Sequence, residues 1–167
     1  MEKYIYREYN PIYASYYKLE LGLLRARLGR NVKIEHIGST AVLGLGGKGI
    51  VDILLIVKKG SLFLYKGMLE ELGFEFRETA STNKRYFFRK DYYSEEIERR
   101  LHLHIVEEDS VEGKKMIFFR DYLIEHPEKI IEYAELKKKA ALEAKGNGEK
   151  YREIKQAFID EINSFFS

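Results

Sequence analysis

The stretch IEHIGSTAVLGLGGKGIVDILLIV, Ile34 to Val57, holds five of the thirteen glycines in the chain. It joins two apolar runs through a glycine-rich connection. Within the second run a single carboxylate, Asp52, sits among isoleucines, leucines and valines. That run has the length and β-branched content of a central strand covered on both faces. A carboxylate buried there loses hydration and needs a partner, a metal ion or a ligand to restore it. The functional reading of the chain turns on that residue.

Outward from this stretch, Asn10-Pro11 reads as a helix cap with proline at the first helical position. Ile12, Tyr16, Leu19, Leu23 and Leu28 recur at helical spacing, and Gly29 offers a stop. The pattern predicts strands over Val32–Ile37 and Ile50–Val57, with Gly38 to Gly49 as the connection. A helix capped by Ser61 is expected to run to Leu72, ended by Gly73. Gly73–Arg77, Arg85–Lys90 and Arg99–Val106 read as three more strands, and DYYSEEIE (Asp91 to Glu98) as an exposed connection. After Gly113 the character turns helical: Lys114–His126, Glu128–Lys145 and Glu149–Phe166, broken at Pro127 and at KGNG (Lys145 to Gly148). One α+β domain over residues 1–167 is expected, sheet-rich over 30–107 and helical over 113–167.

Composition narrows the class. The 167 residues are 45% hydrophobic and 34% charged, a balance of soluble globular domains rather than disordered chains. With 29 basic and 27 acidic residues, no extended nucleic-acid surface is expected, although local basic patches are compatible with the balance. The absence of cysteine excludes disulfides and thiolate metal sites. The start, MEKYIYREYN, lacks the apolar core of a signal peptide, and no run approaches membrane-spanning length, so a cytoplasmic location is the default expectation. Oligomeric state is not legible.

Gly38-Ser39, followed by a strand aspartate at Asp52, resembles the signature of the nucleotidyltransferase superfamily. EHIGSTAVLGLGGKGIVDI, HLHIVEE and FFRDYLIEHPEKIIEYAELKKKA resemble the GrpB family, a branch of that superfamily, over nearly the whole chain. The resemblance implies a nucleotidyltransferase-like mixed β-sheet with helices packed on one face and a helical C-terminal part. It also implies a nucleotide or other phosphorylated small molecule as partner, and a divalent metal (Mn, Zn or Mg). Two departures stand out. The family usually has prolines where this chain has Leu43 and Gly49, a change expected to loosen the loop and weaken preorganised binding. Active members of the superfamily carry Asp-x-Asp, whereas here Asp52 is followed by Ile53 and Leu54, a gap shared by GrpB relatives. Two function classes therefore stand: metal-assisted nucleotidyl transfer, and a non-catalytic binding or regulatory module.

The candidate residues follow from chemistry. Gly38, Ser39 and Thr40 offer backbone N–H groups and hydroxyls to phosphate, with His36 beside them and Lys48 as a cation; the alternative is an ordinary tight turn. Alternation in RLHLHIV puts His102 and His104 on one strand face. With Asp52 they form a candidate set for a transition metal. Alternatively, one imidazole, His104, acts with Asp52 in catalysis as a base, or both are hydrogen-bonded sheet residues. Arg120, in FRDYL, either faces the cleft and grips an anion or pairs with Asp121. Tyr133, Lys137, Tyr151 and Lys155 match family positions, with helix packing the expectation for the two tyrosines. Lys138 and Lys139 are expected on a solvated face, and Lys84, Arg85 and Arg89 on a solvated edge.

Overall fold

Residues 5–93 and 98–167 are described by a computed structural model. Helix α1 (Ile12–Leu28) leads into strand β1 (Lys33–Ile37). A short 3-10 turn (Ser39–Ala41) and the glycine-rich connection then reach β2 (Val51–Val57). A 3-10 turn (Leu62–Tyr65) and α2 (Lys66–Glu71) precede the short edge strand β3 (Glu75–Phe76) and the long pair β4 (Arg85–Tyr93) and β5 (Glu98–Glu107). Three helices complete the chain: α3 (Val111–Glu125), α4 (Pro127–Ala144) and α5 (Gly148–Asn163).

The five strands form one mixed sheet in the order β1-β2-β5-β4-β3. Among the described strands only β2 and β5 run parallel; the other neighbours are antiparallel. The β2–β5 register pairs Asp52 with His102 and Leu54 with His104. Side chains paired across strands share a sheet face, so Asp52, His102 and His104 lie on one face, as the alternation predicts. On the opposite face Val51, Ile53, Leu55, Leu101, Leu103 and Ile105 form the main core with Leu24 of α1 and Leu69 of α2. The C-terminal helices belong to the Asp52 face, where Met116 and Ile117 of α3 pack on Ile37, Leu54 and Val106. Helices α1 and α2 thus pack on one face, and the expected C-terminal helical part lies on the other.

Local chemistry explains where the helices begin. Asn10 Oδ1 accepts the Ile12 N–H at 3.0 Å, and the Ser110 hydroxyl accepts the Gly113 N–H at 3.1 Å. Asn147 caps α5 by accepting from Glu149 and Lys150 at 3.0 and 3.1 Å. Gly113 permits α3 to approach β5, since a Cβ there would stand 2.6 Å from Val106 Cγ2.

Three element boundaries differ from expectation. The Ser61–Leu72 segment splits into a 3-10 turn and a one-and-a-half-turn helix, and Ser61 gives its hydroxyl to the Lys58 carbonyl instead of capping. The expected connection DYYSEEIE is strand at both ends, with Asp91, Tyr92 and Tyr93 paired to Arg100, Arg99 and Glu98. Asp91 is held there by Arg100 at 2.7 and 3.0 Å. The middle of that segment, 94–97, lies outside the described residues. No described helix is long and apolar enough to cross a membrane.

One buried charge escaped the sequence reading. Glu20 of α1 is 1% exposed. It accepts from Lys90 Nζ at 2.8 Å and from the Tyr92 hydroxyl at 2.7 Å, fastening α1 to β4. Removing one partner strands the other charge, so Glu20→Ala is expected to cost about 3 kcal/mol in urea unfolding. Glu20→Ala with Lys90→Met should cost less than the sum of the single changes. Strict additivity would show that the pair is not coupled.

Candidate functional site

β1 ends at Ile37, the register partner of Asp52, and the chain turns at Gly38 with φ 74°. A Cβ at Gly38 would fall 2.4 Å from Asp52 Oδ2, so only glycine lets the turn close over the carboxylate. The connection beyond it is anchored, not slack. Arg7 and Gly47 exchange backbone hydrogen bonds at 2.7 and 2.9 Å. Val42 and Leu45 are buried against Leu123, Tyr133, Phe158 and Ile162 of the C-terminal helices. At Gly49, φ is 75°, a conformation closed to the proline of the family pattern. The expected loosening by lost prolines is offset by these contacts.

Between this connection, the Asp52 face and the C-terminal helices lies a cavity of about 240 Å³. Gly38, Ser39, Lys48, Asp52, His102 and Arg120 line it, and so do Tyr133, Lys137, Tyr151 and Lys155. Asp52 is thus not sealed in the core: its side chain is 23% exposed and opens on the cavity, with His102 Nδ1 3.4 Å from Oδ1. Burial pushes the Asp52 carboxyl upward, but the hydrogen-bonding contact with His102 and the charge of Lys48 outweigh it. The net effect holds it below the usual carboxylate range.

Facing Asp52 are three lysines from three elements. Lys48 comes from the connection, Lys137 from α4 and Lys155 from α5. Lys137 is 5% exposed and donates to the Gly46 carbonyl at 2.8 Å, with its ammonium 4.7 Å from the Tyr133 ring centre. Lys155 and Lys48 lie 4.5 and 5.2 Å from the Tyr151 ring centre. A Cβ on Gly47 would stand 2.8 Å from Ser39 Oγ and 2.9 Å from Lys137 Nζ, so hydroxyl and ammonium flank one bare stretch of backbone. Burial, reinforced by Lys155, pushes Lys137 down to about 7. Burial and Lys48 push Lys155 down to about 8.

The helix periodicity explains this convergence. The buried positions of α4 are Tyr133, Lys137, Ala140 and Ala144, one stripe at steps of four, three and four. On α5 the stripe Tyr151, Phe158, Ile162 includes Lys155 by the same spacing. Lys138 and Lys139 fall off the stripe and pair with surface glutamates. Position 137 within an otherwise buried stripe is the signal that marks this lysine from sequence.

Other expected site residues are placed elsewhere. His36 pairs with Ile53, on the face opposite Asp52, where it stacks on Tyr17 at 4.4 Å and bonds Thr40 Oγ1 at 2.8 Å. Neither His36 nor Thr40 lines the cavity; burial holds His36 at about 4, hence neutral. Arg120 borders the cavity, but its guanidinium is engaged by Glu35 at 2.6 Å, Asp121 at 2.8 Å and the His36 carbonyl at 2.9 Å. It clamps α3 to β1. Arg85 is no solvated edge residue: it pairs with Glu112 at 2.7 Å and stands 3.1 Å from His104 Nδ1.

That last contact bears on the metal set. A guanidinium only donates, so His104 Nδ1 accepts. Burial, with Arg85 and His102, holds His104 at about 4 and therefore neutral. A neutral ring accepting at Nδ1 carries its proton on Nε2, leaving no lone pair for the ligand or base role expected of it. Asp52, His102 and His104 share a face without forming a ligand set, and no group of three metal-ligating side chains occurs among the described residues. Leu54, where a second carboxylate would stand, is fully buried. One carboxylate opposed by three lysines does not fit the divalent ion that the resemblance implies.

A sequence model described as GrpB protein matches residues 5–164. The chain belongs to the GrpB family. It is 33% identical over 146 residues to the glutamate-rich protein GrpB of Alkalihalophilus pseudofirmus, covering 86% of this chain and 84% of that one. It spans 78% and 63% of the lengths of two UPF0157 proteins, from Halalkalibacterium halodurans and Pseudomonas aeruginosa. The crystal structure of the conserved protein GrpB from Enterococcus faecalis superimposes with a TM-score of 0.81 at 32% identity, covering 96% of this chain and 95% of that one. The Cid1 poly(U) polymerase superimposes with a TM-score of 0.52 at 11% identity, over 76% of this chain and 39% of that one. The GrpB-family fold is thus a nucleotidyltransferase-like α+β fold.

Lys137 makes the site's electrostatics measurable. Its folded value of about 7 lies below the ordinary 10.5, so between those values the unfolded chain holds a proton that the folded one lacks. Stability contributed by this group therefore rises with pH across that window, and Lys155 acts in the same direction. The charges facing Lys137 are Lys155 of α5, Lys48 of the connection and Asp52 of β2. Lys137→Met should be more stable than the wild type at pH 7, with a margin that shrinks toward pH 10 in urea titrations. A margin independent of pH would contradict this burial penalty.

Proposed function

We propose that this GrpB-family chain binds a phosphorylated small molecule, with nucleotides the first class to test, and that its phosphate groups enter the cavity over Asp52. The observation that carries this reading is the convergence of Lys48, Lys137 and Lys155 with the Ser39 hydroxyl on one cavity holding a single carboxylate. Clustered ammonium groups are costly to desolvate, and an anion of several charges relieves that cost. Arg120, already paired, shapes the wall.

Cavity size bears on the ligand. About 240 Å³ falls below the roughly 300–1,000 Å³ of ordinary small-molecule sites, so it suits a phosphate group or tail rather than a whole nucleotide. An adjoining groove of about 510 Å³ shares Lys48, Ile50 and His102 with the cavity and is lined by Arg85, Arg89, Arg100 and Arg152. The remainder of a larger ligand has room there, passing over His102.

Nucleotidyl transfer is the second reading, favoured by the Asp52–His102 contact at 3.4 Å on the sheet face. Two-metal transfer needs paired carboxylates, and Leu54 cannot supply one. No step through a metal is assigned, and binding is the better supported function.

A thermal-shift panel tests it. Pyrophosphate, triphosphate and nucleoside mono-, di- and triphosphates should each raise Tm, while the matching nucleosides should not. The ligand-induced rise should fall in Lys155→Met, even though relief of its buried charge raises the ligand-free Tm. If no phosphorylated compound shifts Tm, the binding reading fails.

A further inference from the structure

We infer that the cavity takes a compact polyanion directly on its lysine ammonium groups, without a divalent ion between protein and phosphate. This rests on the binding reading above and goes beyond it by naming what neutralises the ligand. In a paired-carboxylate site the protein supplies negative charge, and the metal bridges it to negative phosphate. Here the sign of the protein's contribution is reversed.

The reversal is structural and local. The position two residues after Asp52 is Leu54, fully buried and packed with Ile37 and Val106. The one carboxylate present is already met by His102 at 3.4 Å. Opposite it, Lys137 is held by the Gly46 carbonyl at 2.8 Å, and the aromatic faces of Tyr133 and Tyr151 stand 4.5 to 5.2 Å from the three ammonium groups. A carbonyl and ring faces orient an ammonium without cancelling its charge, whereas a carboxylate partner would cancel it. The contrast with Arg120 is direct, since two carboxylates occupy that guanidinium. Lys137 and Lys155 are thus placed to meet an anion, whose charge would restore the proton affinity that burial lowers.

Asp52 acquires a different role in this arrangement. It raises the proton affinity of Lys48, Lys137 and Lys155, all three of which feel its charge. It offsets part of the lowering that burial and mutual repulsion impose on these lysines in the free protein, and it repels an incoming anion. An anchor for metal would be needed for binding; a charge balancer would not.

Isothermal titration with inorganic triphosphate separates the two. In EDTA the wild type should bind triphosphate, and saturating Mg²⁺ should weaken the apparent affinity several-fold, because the ion competes with the lysines for phosphate oxygens. Asp52→Asn should bind triphosphate as tightly as the wild type or tighter. Lys137→Met and, independently, Lys155→Met should each weaken binding at least ten-fold, with far-UV circular dichroism reporting on the fold of each variant. Binding seen only with Mg²⁺ and lost in Asp52→Asn would overturn the metal-free assignment while leaving the binding reading intact. No heat in either condition would overturn both.

Discussion

A lysine ammonium with 5% of its surface exposed, held by one backbone carbonyl, is the constraint that organises the functional half of this molecule. Lys137 can be buried because the glycine-rich connection brings the Gly46 carbonyl to it and because Asp52 lies within electrostatic reach across the cavity. Both depend on close backbone approach. Gly38 must be bare for the turn to close on Asp52, and Gly47 must be bare for Ser39 and Lys137 to meet beside it. The glycines of the connection are thus part of the electrostatics of the cavity as well as of its shape.

The scaffold divides this work between its two sheet faces. One face is an apolar core under α1 and α2, tied at the far side by the Glu20–Lys90–Tyr92 contacts. The other is polar near β2 and β5 and is closed by α3, α4 and α5, of which α4 brings Lys137 and α5 brings Lys155 to the cavity. Arg120 ties those helices to β1 through Glu35, so the cavity wall is fixed to the strand that ends at Gly38. Above a nucleotidyltransferase-like sheet, the cavity is lined by three lysines and one carboxylate.

Much of this was legible from the residues alone. The helix from Ile12, the central strand around Asp52 and the shared face of Asp52, His102 and His104 all follow from period and composition. The ends of β4 and β5 were not, because Asp91, Tyr92 and Tyr93 read as a polar connection until Arg100 is known to sit opposite Asp91. The site was legible in part. Gly38, Ser39, Lys48 and Asp52 do line the cavity, since the turn at Gly38 and the pairing of Ile37 with Asp52 bring the two ends of the motif together. His36 goes to the other face, where it bonds Thr40, because register and not sequence proximity decides side. His104 is claimed by Arg85, a partner 19 residues away that no local pattern reveals. Lys137 was visible only as a family match, although its place within the Tyr133–Ala140–Ala144 stripe marks it.

The most direct test is a crystal structure of the wild-type protein grown with inorganic triphosphate in the presence of EDTA. Phosphate density bounded by Lys48, Lys137, Lys155 and the Ser39 hydroxyl, with no cation between the anion and Asp52, is the result expected. Density that instead engages Asp52 through a bridging cation, or that lies outside this cavity while the lysines remain in their ligand-free positions, would contradict the account.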